Sequence, residues 1–252
     1  MLHFKAPHHS YEYPERWKDY LKDTLIPEPP SLHEDVEKTS PLLKGVHTWH
    51  MVNKNGYFGR HEKDEEPPMW PHDGSVRSKT SADYKHMVHK YLRAVGAVDD
   101  NIKRVIDYLE KERIKDDTLI IYTSDQGYWL GQHNMHDKRL ILEESLKMPF
   151  IVHWPGVTEA GSRDEHLVQN IDYAPTFLEI AGAAIPDDIQ GNSLVPLLRG
   201  ASPGDWRTSI YYHYYEFPSV HMVPRHYGIR TERYKLMHFY QFGEEWELYD
   251  LK

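Results

Sequence analysis

Between about Ser81 and Lys111 the apolar residues recur at intervals of three and four: Tyr84, Met87, Val88, Tyr91, Leu92, Val95, Val98, Ile102, Val105, Ile106 and Leu109. That spacing is one buried face of a long helix. Asp116-Asp117 then turn the chain into Thr118-Leu-Ile-Ile-Tyr-Thr123. This run is short, apolar and rich in strand formers, the mark of a strand covered on both faces. A helix feeding a buried strand is half of an α/β crossover. It predicts an α/β fold, a mostly parallel sheet with helices on both faces. The polar loop from Ser124 to Arg139 lies at the C-terminal end of that strand, where open α/β sheets bind ligands.

The remaining segments fit around this unit. A short strand is predicted at Leu2–Phe4, and a helical segment opened by Pro14 carries Trp17, Tyr20 and Leu21 on one side. From about Ser31 to Ser78 there is little periodicity and much Pro, His, Lys and Glu, which predicts a long irregular loop with a functional role. A helical turn at Leu142–Leu146 and a strand at Pro149–His153 follow. Asp172 reads as the N-cap of a helix running to Ala181, with Pro175 in its first turn. Ser193–Leu198 reads as a short helix. After Pro203, Ser209–Tyr215, Tyr227–Thr231, Tyr234–Tyr240 and Glu247–Tyr249 read as strands with no long helices between them. The expected division is therefore 1–200, an α/β portion, and 201–252, a small antiparallel C-terminal unit.

Composition narrows the function. Apolar residues make up 39% of the 252, and 7 Trp with 18 Tyr argue against disorder. A formal charge of -9 argues against a general nucleic-acid binder. It leaves room for a small anionic substrate held by local Lys, Arg and His. There is no cysteine, which excludes disulfides, thiolate metal sites and a cysteine nucleophile. No apolar run approaches the roughly 20 residues of a membrane span.

Among the polar residues, Thr123-Ser-Asp125-Gln126-Gly127 stands out. An acid and a carboxamide at the end of a strand offer two oxygen ligands for a hard cation. The alternative is a plain turn, with Asp125 in an Asx-type bond and Gly127 at a special φ. Lys138-Arg139, further along the same loop, could neutralise an oxyanion, or could simply be solvated. Histidines at 8, 9, 133, 136, 221 and 226 could donate protons near neutral pH.

The longer motifs carry a family resemblance. Ser124-Asp-Gln-Gly-Tyr-Trp-Leu-Gly-Gln-His133, then Asp137-Lys-Arg, then Glu143-Glu-Ser-Leu-Lys-Met-Pro-Phe-Ile-Val-His-Trp-Pro-Gly156 follow in order. Val98-Asp-Asp100 precedes them. Asn170-Ile-Asp-Tyr-Ala-Pro-Thr176, Gln190-Gly-Asn-Ser-Leu194, His226-Tyr-Gly-Ile-Arg-Thr-Glu-Arg-Tyr-Lys-Leu236 and Trp246-Glu-Leu-Tyr-Asp-Leu251 come after. In this order they resemble the second half of the formylglycine-dependent sulfatases. The wording around Asp125 and His226 is most similar to glycan sulfatases of the N-acetylglucosamine-6-sulfatase and heparan type. The resemblance implies an alkaline-phosphatase-like α/β fold with a mixed sheet flanked by helices, incomplete at its N-terminus, and a small antiparallel C-terminal sheet. It implies a sulfuric ester hydrolase acting on a sulfated carbohydrate. Asp125 and Gln126 would be two ligands of one Ca²⁺ ion, Gln126 standing where many relatives have His or Asn. Lys138 would contact the sulfate, and His8 would protonate the leaving oxygen, with Lys5 in the same segment assisting. His221, Arg225, His226 and Arg230 would contact the sugar, or else would be strand and loop residues of the small sheet.

The chain also departs from the family. The formylglycine nucleophile arises from Cys or Ser in Cys/Ser-x-Pro-x-Arg, and no residue here begins that motif. The paired aspartates that complete the metal site are also missing. The reading that follows is a fragment whose remaining part lies before Met1 or on a partner chain. Such a chain is expected to bind Ca²⁺ weakly, since Ca²⁺ takes about six to eight oxygens, and to have no sulfatase activity alone. A sulfated-glycan-binding remnant is one alternative. A phosphatase or phosphodiesterase of the same superfamily is another, although two-metal sites use more His and Asp. A periplasmic, secreted or lysosomal location is expected from the family.

Overall fold

A computed structural model describes residues 2–35, 38, 40, 73–218, 223–241, 243 and 245–252. Most of the irregular stretch read between Ser31 and Ser78, and His221, lie outside the described residues. The chain forms two compact units. The first comprises Met1–Lys115, Tyr128–Arg139 and Pro218–Val223, the second Asp116–Gly127, Leu140–Phe217 and Pro224–Lys252.

The first unit is organised by helix α1, Val76–Lys111. It begins five residues before the apolar stripe, because Ser75 caps it: the Ser75 hydroxyl accepts from the Ser78 N–H at 3.2 Å. Burial is concentrated between Thr80 and Val98. The later apolar positions, Ile102, Val105, Ile106 and Leu109, are only half-buried. The N-terminal segment lies along α1 in turns. Leu2–Phe4 is not a strand, and past Pro14 only the single 3₁₀ turn Glu15–Trp17 is helical. Among the described residues neither stretch has a pairing strand or a helical run long enough to sustain itself. Side chains hold it instead. Trp17 lies so close to Gly96 that a β-carbon there would sit 2.5 Å from its ring. Arg16 pairs with Asp100 at 2.8 Å, and the Tyr84 hydroxyl donates to the Pro27 carbonyl at 2.7 Å. Tyr11, Leu32, Tyr84, Met87 and Val88 form the core, joined by Tyr91, Tyr128 and Leu130. Strands β2 (Trp129–Leu130) and β3 (His136–Asp137) form a small hairpin in this unit.

In the second unit, β1 (Ile120–Thr123) and β4 (Phe150–His153) pair antiparallel, from Ile120 opposite His153 to Thr123 opposite Phe150. The expected parallel sheet is thus corrected: all strand pairing among the described residues is antiparallel. β1 is also not covered on both faces, since Tyr122 is exposed. Between these strands comes the one-turn helix α2, Glu143–Leu146. Helices α3 (Tyr173–Ile180) and α4 (Val195–Leu198) are stapled together at Asp172 and Thr176. Asp172 is the N-cap residue of α3, as expected, but its side chain makes no capping bond to α3. Its carboxylate instead accepts from the Gln169 and Asn192 N–H groups and from Arg207 at 2.5 and 2.6 Å. The Thr176 hydroxyl donates to the Asp172 carbonyl and accepts from the Leu194 N–H. The unit ends in the four-stranded antiparallel sheet β5 (Ser209–Tyr214), β6 (His226–Thr231), β7 (Tyr234–Phe239) and β8 (Glu245–Asp250), in that order.

Candidate functional site

The loop after β1 is anchored at both ends. At its start, the Thr123 hydroxyl lies 2.8 Å from the Tyr173 hydroxyl, and Tyr173 stacks on Phe150 of β4. At its end, the Gly127 N–H donates to the Ser145 carbonyl at 2.8 Å. Gly127 does not take a left-handed φ, as the turn reading supposed. It is glycine because a β-carbon would collide with the Glu144 carbonyl and lie 2.5 Å from that of Lys147. Between these anchors, Asp125 is exposed and Gln126 half-buried. The Ser124 hydroxyl donates to Asp125 Oδ1 at 3.3 Å. The pair suits a hard cation in kind. It does not suit one in number: no group of three or more His, Cys, Asp or Glu among the described residues is placed to hold a metal. The described residues therefore do not make up a metal centre.

Lys138 belongs to the first unit, although sequence places it on the same loop as Asp125. Its neighbours Asp137 and Arg139 both have left-handed backbones, at φ 78 and 97. Such conformations are uncommon for non-glycine residues and hold where the surroundings enforce them. Arg139 engages Asp137 at 2.9 Å, and Lys138 Nζ is 3.8 Å from the same carboxylate with only 11% of its side chain exposed. Lys138 is thus a covered cation whose ion-pair partner is mainly satisfied elsewhere.

His8 also lies in the first unit, exposed. Its N–H closes a turn on the Lys5 carbonyl at 2.9 Å. Its ring Nδ1 lies 2.8 Å from the His9 carbonyl, and a carbonyl only accepts, so Nδ1 carries a proton. That leaves Nε2 as the nitrogen able to give or take a second one. Lys5 is exposed and 3.9 Å from Glu12. His133 pairs with Glu34 at 2.7 Å, and His136 is buried in β3.

His226, Arg225 and Arg230, three of the residues expected to meet a sugar, make bonds within the protein. His226 is wholly buried. Its Nδ1 faces the Pro224 carbonyl at 2.8 Å and its Nε2 accepts from the Ile141 N–H at 3.2 Å. Both nitrogens are used, and burial pushes its pKa down to about 4, so the ring is neutral. Arg225 donates to the carbonyls of Tyr215 and Phe217 at 3.0 and 2.6 Å. Arg230 turns to Glu143, with its nearest contact at 3.2 Å. These bonds support the alternative reading of His226, Arg225 and Arg230 as strand and loop residues of the small sheet.

Sequence reading missed Glu143 and Lys235. Lys235 is 1% exposed, and its ammonium lies 2.6 Å from Glu143. Burial pulls Lys235 below an ordinary lysine pKa, against the opposing pull of Glu143. Burial likewise pushes Glu143 up, but hydrogen bonds and charge from Arg230 and Lys235 outweigh it, leaving its carboxyl below the usual range. Glu143 lies about ninety residues from both Arg230 and Lys235 in sequence, so no spacing could reveal the cluster.

Comparison with known proteins identifies the family. The sulfatase family profile matches residues 1–183, and the profile of the C-terminal part of N-sulphoglucosamine sulphohydrolase matches 131–252. The chain belongs to the sulfatase family, with an alkaline-phosphatase-like fold. Among individual proteins, N-acetylglucosamine-6-O-sulfatase of Bacteroides thetaiotaomicron is 39% identical across 100% of this chain, which spans 51% of that protein, about half its length. BT4656, solved with its substrate D-glucosamine-2-N,6-O-disulfate, superposes with a TM-score of 0.86 at 36% identity, over 98% of this chain and 57% of that one. A phosphonate monoester hydrolase from Silicibacter pomeroyi gives 0.78 at 25% identity, over 97% of this chain and 48% of that one. Among the described residues no helix is long and apolar enough to cross a membrane.

Proposed function

We propose that this chain is part of a sulfuric ester hydrolase acting on a sulfated carbohydrate, with 6-O-sulfated glucosamine as the favoured substrate class. The observation that carries the reading is the 39% identity, along the whole chain, to an N-acetylglucosamine-6-O-sulfatase. Cleaving a sulfate ester leaves negative charge on the non-bridging oxygens and on the departing oxygen. Lys138, covered and only loosely paired, is the cation we assign to the former. His8 is the acid we assign to the latter, delivering a proton from Nε2 while Nδ1 stays on the His9 carbonyl. Lys5 assists as a nearby charge. Asp125 and Gln126 would supply two oxygens to a divalent cation, Ca²⁺ in our reading, whose remaining ligands come from other groups. The formylglycine expected of the family has no counterpart in these 252 residues. We also read 201–252 as a subdomain appended to 1–200, and an exported or lysosomal location.

A second reading is supported by the likeness to a phosphonate monoester hydrolase, at lower identity. Turnover by the protein isolated from its source decides between them. Release of sulfate from N-acetylglucosamine-6-sulfate should exceed turnover of a phosphonate monoester. Lys138→Ala and His8→Ala should each lower kcat/KM by roughly a hundredfold or more. Equal or faster phosphonate turnover would overturn the sulfatase reading.

A further inference from the structure

The loop bearing Asp125 and Gln126 does not rest on β1 alone. Its far end hangs on the backbone of α2, through Gly127 to Ser145 and through the close approach of Gly127 to the Glu144 and Lys147 carbonyls. α2 has only four residues, too few to be stable by itself. Its position is set at its N-terminal side by β6 and β7. The Ile141 N–H donates to His226, and a β-carbon at Gly228 would lie 2.8 Å from Ile141 Cδ1, so the sheet lies directly against Ile141. Two residues on, the Glu143 carboxylate is gripped by Lys235 at 2.6 Å and by Arg230 at 3.2 Å. Lys235 is covered and Arg230 nearly so, with 1% and 18% of their side chains exposed. The Glu143 side chain itself is 31% exposed, but both cations are covered, and charge-assisted hydrogen bonds strengthen where solvent is excluded.

We infer that Arg230 and Lys235 are positioning residues: through Glu143 they hold α2, and α2 in turn holds Ser124–Gly127 where Asp125 and Gln126 can act. Every link lies within the second unit. The inference rests on the sulfatase reading only for what the loop does, not for how it is held.

The test is amide hydrogen exchange on the full chain. In Arg230→Gln and Lys235→Met, exchange of the Gly127 amide, which is bonded to Ser145, should rise about tenfold or more, while the β1–β4 amides stay protected. Arg230→Lys, which keeps a cation near Glu143, should restore most of the protection. If Lys235→Met fails to fold because it strands a buried carboxylate, the more exposed Arg230→Gln carries the measurement. Unchanged exchange at Gly127 in a folded variant would overturn the inference. So would an equal rise along β1 and β4, which marks general loosening of the unit. In the protein isolated from its source, the same variants should lower kcat by about tenfold with KM little changed. If the unsubstituted protein releases no sulfate yet the loop responds as described, the sulfatase reading fails and the positioning role stands. Sulfate release with an unresponsive loop is the opposite outcome.

Discussion

His226 shows how a single side chain can look like chemistry in sequence and be packing in the fold. Its ring is neutral, because burial pushes the pKa from 6.5 to about 4. The unfolded chain therefore takes up a proton that the folded chain refuses. Stability from this residue is complete above about pH 6.5 and falls as pH drops toward 4, by on the order of 3 kcal/mol. Urea unfolding midpoints followed between those pH values should show the slope, and His226→Gln should flatten it. Glu143 adds a second acid-sensitive contribution, lost only when pH falls below the usual carboxylate range. Other residues were legible locally. Ser124-Asp-Gln-Gly127 was read as a strand-end loop, and it is one. The reason for Gly127 was not legible, because the colliding carbonyls belong to α2. Lys138 was picked out as a cation, but its left-handed neighbours and its covering arise only in the folded hairpin.

At the scale of elements, hydrophobic spacing placed α1 and all four strands of the C-terminal sheet within a few residues. Spacing reports which side of an element is apolar, and α1 and β7 each bury one side, whereas β8 is mostly exposed. It failed where pairing decides. β1 was read as one strand of a parallel sheet, but its register with β4 runs antiparallel. Strand direction depends on where the intervening chain goes, which no window of sequence contains. The segment from Gln169 to Leu194 illustrates a second kind of element, held by a buried charge. Asp172 has no exposed side chain, and Arg207 is its counter-ion. Arg207→Ala would leave that carboxylate with backbone donors alone and should cost about 3–5 kcal/mol of stability. Thermal unfolding of that variant measures it, and a loss under about 1 kcal/mol would mean that the backbone N–H groups suffice.

At the scale of the whole molecule, the two units exchange segments of chain. The stretch Ser124–Arg139, read as one loop, divides after Gly127: Asp125 and Gln126 belong to one unit and Lys138 to the other. The same interleaving bears on residues 201–252. Their sheet is continuous, yet Lys235, Arg230 and His226 find their partners at Ile141 and Glu143. A peptide of residues 201–252 should therefore be unfolded, with poorly dispersed amide resonances. A dispersed spectrum would show that the sheet stands without those partners. Sequence by itself determined the α/β composition, the long helix, the antiparallel C-terminal strands and the family, because periodicity and ordered motifs are carried by residues close together in the chain. Tertiary structure alone decided the direction of the β1–β4 pair, the division of the loop between two units, and the conversion of His226, Arg230 and Lys235 into supports. Those outcomes depend on contacts between residues about thirty to ninety positions apart, and burial sets their charge and partners only once the chain has folded.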